Sequence, residues 1–345
     1  MSEAVIASML LAAVAAFFNG RFFLPPKYMR GWEWENMWTI FATISQFLLP
    51  WLVAWIAIPH LGQVLHNSPW SFFLPGVIAG VVWGIGMITY GLGVAMIGIA
   101  AGNAIIAGIA TMTGTLGPLI VYAPEKVFTS VGFIFLMAIV LIVIGVTIYG
   151  RAGVRKEQET SDSRPELKSP RGQFRSGMLV CAVTGVLGTA FIYGLASSTG
   201  IIDAAVKAGA KPLVAGYLAW AITFSAGYIP NLGYSLYRTR QRHSAATLLH
   251  SGNFLRNSAL AGLMAVLWYG GVLLYGMAAA GMGRLGPSAG SGLYLSGTLV
   301  SANLLGWFSG EWQGASRSVI RGFIIGMALI IAGIVVIAFG VARTA

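Results

Sequence analysis

The sequence predicts an all-α polytopic membrane protein, with ten transmembrane helices arranged as two inverted five-helix repeats. Three observations predict it. Of 345 residues, 57% are hydrophobic and only 9% charged, where a soluble domain carries about 25% charge. Apolar runs of roughly 18–25 residues, the length that crosses a bilayer, recur along the whole chain. Finally, the stretch beginning at Val81 returns 185 residues later without a gap. Val81, Trp83, Gly86, Tyr90, Gly91, Ala95, Gly98, Ala104 and Thr113 meet Val266, Trp268, Gly271, Tyr275, Gly276, Ala280, Gly283, Ala289 and Thr298, nine identities in 33 positions. A shared Trp and a shared Tyr at one register mark an internal duplication.

The apolar runs place spans at about 4–22, 36–58, 72–95, 99–121, 127–149, 175–198, 212–235, 256–278, 287–308 and 320–342. The first run follows Glu3, where a cleaved leader would carry basic residues, so it is expected to remain as a span. Trp32, Trp34 and Trp38 frame the start of the second span and Trp51 and Trp55 its far end; all five read as interfacial belt positions. Residues 80–117, covering most of spans three and four, hold ten glycines in 38 positions. Such a density would ruin water-soluble helices, but in lipid it lets backbones approach, and Gly80/Gly84 and Gly98/Gly102 have the required i,i+4 spacing. A very short turn is expected near Gly98. The polar stretch 150–174 reads as an exposed linker that divides a first repeat, 1–149, from a second, 175–345.

Orientation follows from the cations. Loops after the odd-numbered spans hold 15 Lys and Arg, and the opposite side holds five. The linker is therefore expected in the cytosol and both termini outside, in the periplasm of a bacterial inner membrane. The duplicated third and eighth spans are an odd number of crossings apart, so the halves must be inverted, an architecture recurrent in secondary transporters.

A net charge of +11 would suggest nucleic acid in a soluble protein; here topology explains it, and no nucleic acid partner is expected. The lone Cys181 excludes an intramolecular disulfide. No metal-ligand spacing, nucleophile elbow or phosphate loop is present, so neither an enzyme, a cofactor nor a metal is expected. His60, His66, His243 and His250 fall in or beside loops and read as solvated.

What remains is a polar and aromatic lining. Trp83, Gly86 and Tyr90 stand on one helix face, and Trp268, Gly271 and Tyr275 repeat it. The tryptophans fall near mid-span, Tyr90 towards the cytosol and Tyr275 towards the outside. Rings with a polar tip beside a glycine gap suit a small neutral sugar, whose C–H faces stack while its hydroxyls hydrogen-bond. Asn103, Thr111, Thr113, Tyr193, Tyr269, Thr298, Ser301 and Asn303 could add polar groups, with interhelical hydrogen bonds as the plainer alternative. Glu35 opens the second span and Glu311 closes the ninth, with Arg21 and Arg256 at a similar level. Either acid is a candidate proton carrier, since a carboxylate alternately dried and wetted changes its hold on a proton. The alternative is an interfacial salt bridge.

The segments GWEWENMW (31–38), WGIGMITYGLGVAMIGIAAG (83–102), GTLGPLI (114–120), WYGGVLLYG (268–276) and GEWQ (310–313) resemble the bacterial L-rhamnose–proton symporters. The resemblance spans nearly the whole chain, and its Trp-x-Trp-Glu-x-x-Trp element is fairly specific. It implies the drug/metabolite transporter superfamily, ten spans in two inverted halves, and alternating-access import of a 6-deoxyhexose with a proton. L-rhamnose comes first, and Glu35 and Glu311 match acidic positions of the pattern. The chain departs from it at Met87, where the family has Asn, and at Gly270-Gly271, where it has a bulky polar residue. A metabolite or drug exporter of the same superfamily is the rival within transport, and a membrane sensor or scaffold the rival outside it. The partners implied are the bilayer, the sugar and the proton, with a homodimer left open.

Overall fold

In the computed structural model, residues 3–161, 171–250 and 252–343 are described, and among them there is helix and no strand. The main helices are α1 (Glu3–Asn19), α2 (Trp34–Ala57), α3 (Leu74–Ile97), α4 (Ile99–Tyr122) and α5 (Ser130–Ser161). They continue as α6 (Arg171–Leu187, resuming at Ala190–Ser197), α7 (Pro212–Arg242), α8 (Phe254–Gly281), α9 (Ser291–Phe308) and α10 (Arg317–Ala342). Eight of them, all but α1 and α9, are long and apolar enough to cross a bilayer by length and composition. The chain is a polytopic, all-helical membrane protein.

Sequence chemistry explains the interruptions. Gly98, at φ +91°, ends α3 and begins α4 in one residue, a backbone setting that a side chain resists. Its counterpart Gly283, at φ +62°, lies in the turn between α8 and α9. Two π turns, Thr43–Leu48 within α2 and Gly286–Gly290 at the entry to α9, replace regular helix. The stretch read as a linker begins and ends as helix: α5 runs on to Ser161 and α6 starts at Arg171, while 162–170 lie outside the described residues. The extension of α5 ties down other helices. Glu157 accepts the Ala100 N–H at 3.0 Å, and Glu159 accepts the Ser316 N–H at 3.0 Å and its hydroxyl at 2.6 Å. Carboxylates at helix N-termini satisfy free N–H groups and favour the dipole.

Packing follows one rule throughout. Helix α3 packs on α6 and α7 as α8 packs on α1 and α2; α4 packs on α5 and α6 as α9 packs on α10 and α1. Helices α5 and α10 pack on each other. Glycines make the crossings close. A Cβ on Gly84 would stand 2.5 Å from the Gly227 carbonyl oxygen, so α3 and α7 meet backbone to backbone. A Cβ on Gly145 would stand 2.7 Å from the Gly326 oxygen, and one on Gly326 would stand 2.7 Å from the Gly145 oxygen.

The tryptophan belt is corrected in part. Trp55 is exposed at 70% and fits it, but Trp38 is buried and its Nε1 donates to Asn231 Oδ1 at 3.1 Å. Trp51 likewise donates to Ser225 Oγ at 2.8 Å. Both rings point at α7 because a polar partner there pairs the indole N–H, which lipid cannot do.

Candidate functional site

The face predicted on α3 and α8 converges at one point. Trp83 and Trp268 stack with centroids 5.6 Å apart and planes inclined by 26°. Phe224 of α7 closes edge-on against both, 5.2 Å from Trp83 and 5.1 Å from Trp268. The glycine crossing seats this arrangement, since a Cβ on Gly227 would strike the Trp83 ring. Beyond Phe224 lie Trp220, stacked at 5.3 Å, and then Tyr275, 6.3 Å from Trp220 and itself stacked on Tyr294 at 4.9 Å. Tyr269 sits edge-on to Phe224 at 6.2 Å. Asn19 at the end of α1 donates to the Tyr294 hydroxyl at 2.5 Å. Most of the cluster is buried, with Trp83 3% exposed, Tyr269 1%, and Trp220, Phe224 and Tyr275 0%, while Trp268 is half-buried.

Of the expected lining residues, Trp83, Trp268, Tyr269 and Tyr275 therefore come together. Tyr90 does not join them; its hydroxyl donates to Asn103 Oδ1 at 2.6 Å across the Gly98 turn. Tyr193 fills the gap left by Gly117, between α4 and α6, and donates to the Thr113 carbonyl at 2.9 Å. Asn303 donates to the Leu299 carbonyl within its own helix. Thr298 Oγ1 is buried without a hydrogen-bond partner. Trp220, Phe224, Phe191, Tyr294 and Asn19 are members that sequence reasoning missed. The available signal was the i,i+4 spacing of Trp220 and Phe224, continued by Gly227 on the same face.

The two acids differ sharply. Glu35 is 0% exposed; its Oε1 accepts from Ser244 Oγ at 2.8 Å, and its Oε2 is buried with no partner. Asn36 fixes the same corner, donating to the Ser244 carbonyl at 3.0 Å and accepting the Glu33 N–H at 3.0 Å. Asn257 brackets the Arg30 backbone, donating at 2.8 Å and accepting at 3.3 Å. From this corner an aromatic ladder leads inward: Trp38 to Phe41 at 5.0 Å, and Phe41 to Trp268 at 6.1 Å. Glu311 instead is half-exposed and pairs with Lys27 at 2.5 Å. Arg21, expected as a counter-charge, meets neither acid. Its guanidinium donates to Ser301 Oγ at 2.5 Å and covers the Phe17 ring.

Trp83 and Trp268, which share a register in the sequence, thus meet in a buried aromatic core of a polytopic membrane protein, with the buried Glu35 carboxyl group at the end of an aromatic ladder. Residues 1–343 match the family model described as L-rhamnose-proton symport protein (RhaT), and the chain belongs to that family of transporters, not enzymes. L-rhamnose-proton symporters of Klebsiella pneumoniae (strain 342) and Escherichia coli (strain 55989 / EAEC) are 27% and 26% identical to it, over 99% of this chain and 100% of theirs. The corresponding protein of Shigella dysenteriae is 24% identical over the same shares. One solved crystal structure shares the fold, with a TM-score of 0.58 over 98% of each chain at 11% identity.

Proposed function

We propose that this protein imports L-rhamnose together with a proton across the bacterial inner membrane. The observation that carries the site is the stack of Trp83 on Trp268, equivalent positions of the two halves meeting in a buried aromatic core. Stacked indoles offer a sugar ring two apolar faces once they part. The relatives' shared name supplies the sugar and the coupling ion.

The architecture in this reading is ten spans in two inverted five-helix repeats, 1–149 and 175–345, with both termini periplasmic and the intervening linker cytosolic. The neighbour pattern supports it: moving every helix five places along reproduces the packing of α1, α3, α4, α6, α8 and α9. Alternating access then consists of one half taking the other's pose. The buried core corresponds to an occluded state.

Coupling is assigned to Glu35. Protonation would neutralise its unpaired buried oxygen, and the aromatic ladder connects it to Trp268. Glu311 serves as half of a surface gate with Lys27. Tyr90, Asn103, Tyr193 and Thr298 are left outside the immediate site as secondary contacts in other states. The deciding experiment is uptake of radiolabelled L-rhamnose into proteoliposomes, with and without an imposed proton gradient. Uphill accumulation only with the gradient is expected; indifference to rhamnose in both would overturn the substrate, and efflux-only movement would favour an exporter.

A further inference from the structure

Among the described residues, twelve buried polar side-chain atoms have no hydrogen-bond partner, and three of them fall together in one aromatic cluster. Trp220 Nε1 and the hydroxyls of Tyr269 and Tyr275 are buried and unsatisfied within the aromatic core. Gln46 Oε1 is buried and unsatisfied on the π turn of α2. Native proteins pair nearly all such groups, so each exception needs a reason. In a membrane interior the reason must be stronger, because no water stands by to relieve them.

Gln46 lies at the right depth to act with the core. Thr43 shares a hydrogen bond with the Tyr228 hydroxyl at 2.9 Å, and Trp51 bonds Ser225 at 2.8 Å. Gln46 therefore sits between two rungs that join α2 to α7, and its π turn packs on both α7 and α8. It stands at the middle of Trp34–Ala57, as Trp83 and Trp268 stand near the middles of Leu74–Ile97 and Phe254–Gly281. A π turn gives up regular helical bonding, and such bulges persist mostly where they aim a functional residue. The indole N–H is kept clear in a different way. A Cβ on Gly276 would stand 2.8 Å from Trp220 Nε1, so the glycine leaves that donor uncovered by a side chain.

We propose that Gln46 and Trp220, with Tyr275, are the hydroxyl-reading groups of the sugar site beside the Trp83–Trp268 stack. The proposal rests on the sugar-transport reading above and adds to it the residues that recognise hydroxyls. Their chemistry is complementary: an amide oxygen accepts, an indole N–H only donates, and a phenol does either. A polyol carries a donor and an acceptor on each hydroxyl, so one sugar ring satisfies all three. An apolar ligand would satisfy none, which favours a polyol over hydrophobic cargo.

The test uses the full-length protein purified in detergent, two near-isosteric variants, Gln46→Leu and Tyr275→Phe, and Trp220→Phe, which removes ring volume together with the N–H. Replacing an orphaned buried polar group by an apolar one of similar shape leaves stability unchanged or higher. Melting temperature without sugar is thus expected to hold in Gln46→Leu and Tyr275→Phe and to fall in Trp220→Phe through the cavity left behind, while the calorimetric Kd for L-rhamnose weakens about 5- to 30-fold in each variant. A lower melting temperature with an unchanged Kd in all three would mark the groups as structural and overturn the proposal. Wild-type protein keeps the test decisive if a variant misfolds. Rhamnose analogues lacking one hydroxyl should each bind more weakly, and equal affinity across the series refutes hydroxyl reading. Should wild type bind another neutral hexose but not L-rhamnose, the substrate reading falls and the variants are judged on that hexose. No binding of any neutral polyol sinks both.

Discussion

Trp83 and Trp268, 185 residues apart, stack on one another at 5.6 Å between centroids. Each occupies the same place in its half, so the contact joins a position to its own counterpart. In the inverted-repeat reading, such a contact lies on or near the axis relating the halves. On that reading, contacts on the axis are the ones both poses share, and a substrate bound there would be handed over without moving far.

The pair should separate binding from stability. Trp83 is 3% exposed and edge-packed by Phe224, so Trp83→Ala is expected to cost about 3–5 kcal/mol of folding stability as well as sugar affinity. Trp268 is only half-buried. Trp268→Ala should fold better and still lose about 1–3 kcal/mol of sugar binding, the scale of one aromatic contact with its buried area. Melting curves and calorimetry on the two variants check this. A stable Trp268→Ala protein with wild-type affinity would remove the stack from the site.

Glycines should divide into two kinds. A Cβ at Gly84 would stand 2.6 Å from the Pro230 ring and 2.5 Å from the Gly227 oxygen, and backbone cannot yield there. Gly84→Ala is expected to destabilise by about 1–3 kcal/mol through overpacking. At Gly91 a Cβ would meet nothing within 4 Å, and Gly91→Ala should be neutral or gain up to about 1 kcal/mol from helix propensity. Equal melting temperatures for the two variants would contradict the crossing of α3 on α7.

Much of this was legible before any coordinates. Hydrophobic thickness sets span length, so eight of the ten apolar runs found a helix long and apolar enough to cross a bilayer, and the very short turn expected near Gly98 is there. The Trp-Gly-Tyr face was legible in α8 but only half true in α3, because Asn103 lies within reach of Tyr90 across the turn and pairs its hydroxyl. Trp220 and Phe224 were legible only as an i,i+4 aromatic pair, a spacing that helix packing and a binding site share. Gln46 was hidden for a different reason: a π turn shifts the helix face, so regular spacing misplaces whatever follows it. Glu35 and Glu311 looked alike in sequence. Only contacts reaching over 200 residues along the chain, to Ser244 and to Lys27, tell them apart.

Topology can be read by labelling. With Cys181 replaced by serine, cysteines placed at exposed Glu125 and Gly314 should react with an impermeant reagent from opposite faces of intact cells. Glu125 pairs with Arg284 across the loops at one end of the bundle, and the inverted-repeat reading puts that end in the periplasm. Labelling of both from the same face would break the inversion, and labelling of Gly314→Cys alone from outside would reverse the orientation.

Coupling gives the sharpest contrast between the acids. The Lys27–Glu311 pair is half-exposed on both sides, and pairs in such settings contribute about 0–1 kcal/mol and fade with salt. Glu311→Gln is therefore expected to alter transport rate modestly, most at low ionic strength, and to leave gradient-driven accumulation in place. Glu35 is different because its carboxyl group is enclosed, with one oxygen taken by Ser244 and the other by nothing. Glu35→Gln keeps the shape and an acceptor for Ser244 but can neither take up nor release a proton. Uphill accumulation should disappear while rhamnose counterflow survives, since exchange of bound sugar requires no net proton movement. Loss of both activities with a lowered melting temperature would instead make Glu35 a structural anchor for the corner formed with Asn36 and Ser244. Full accumulation in Glu35→Gln would rule it out as the carrier, and persistence in the Glu35→Gln, Glu311→Gln double variant would move coupling away from both acids. Ser244→Ala completes the argument. It removes the hydroxyl that donates to the carboxyl group, so a carrier at Glu35 should answer with altered accumulation at an unchanged melting temperature, whereas a structural anchor should lose stability.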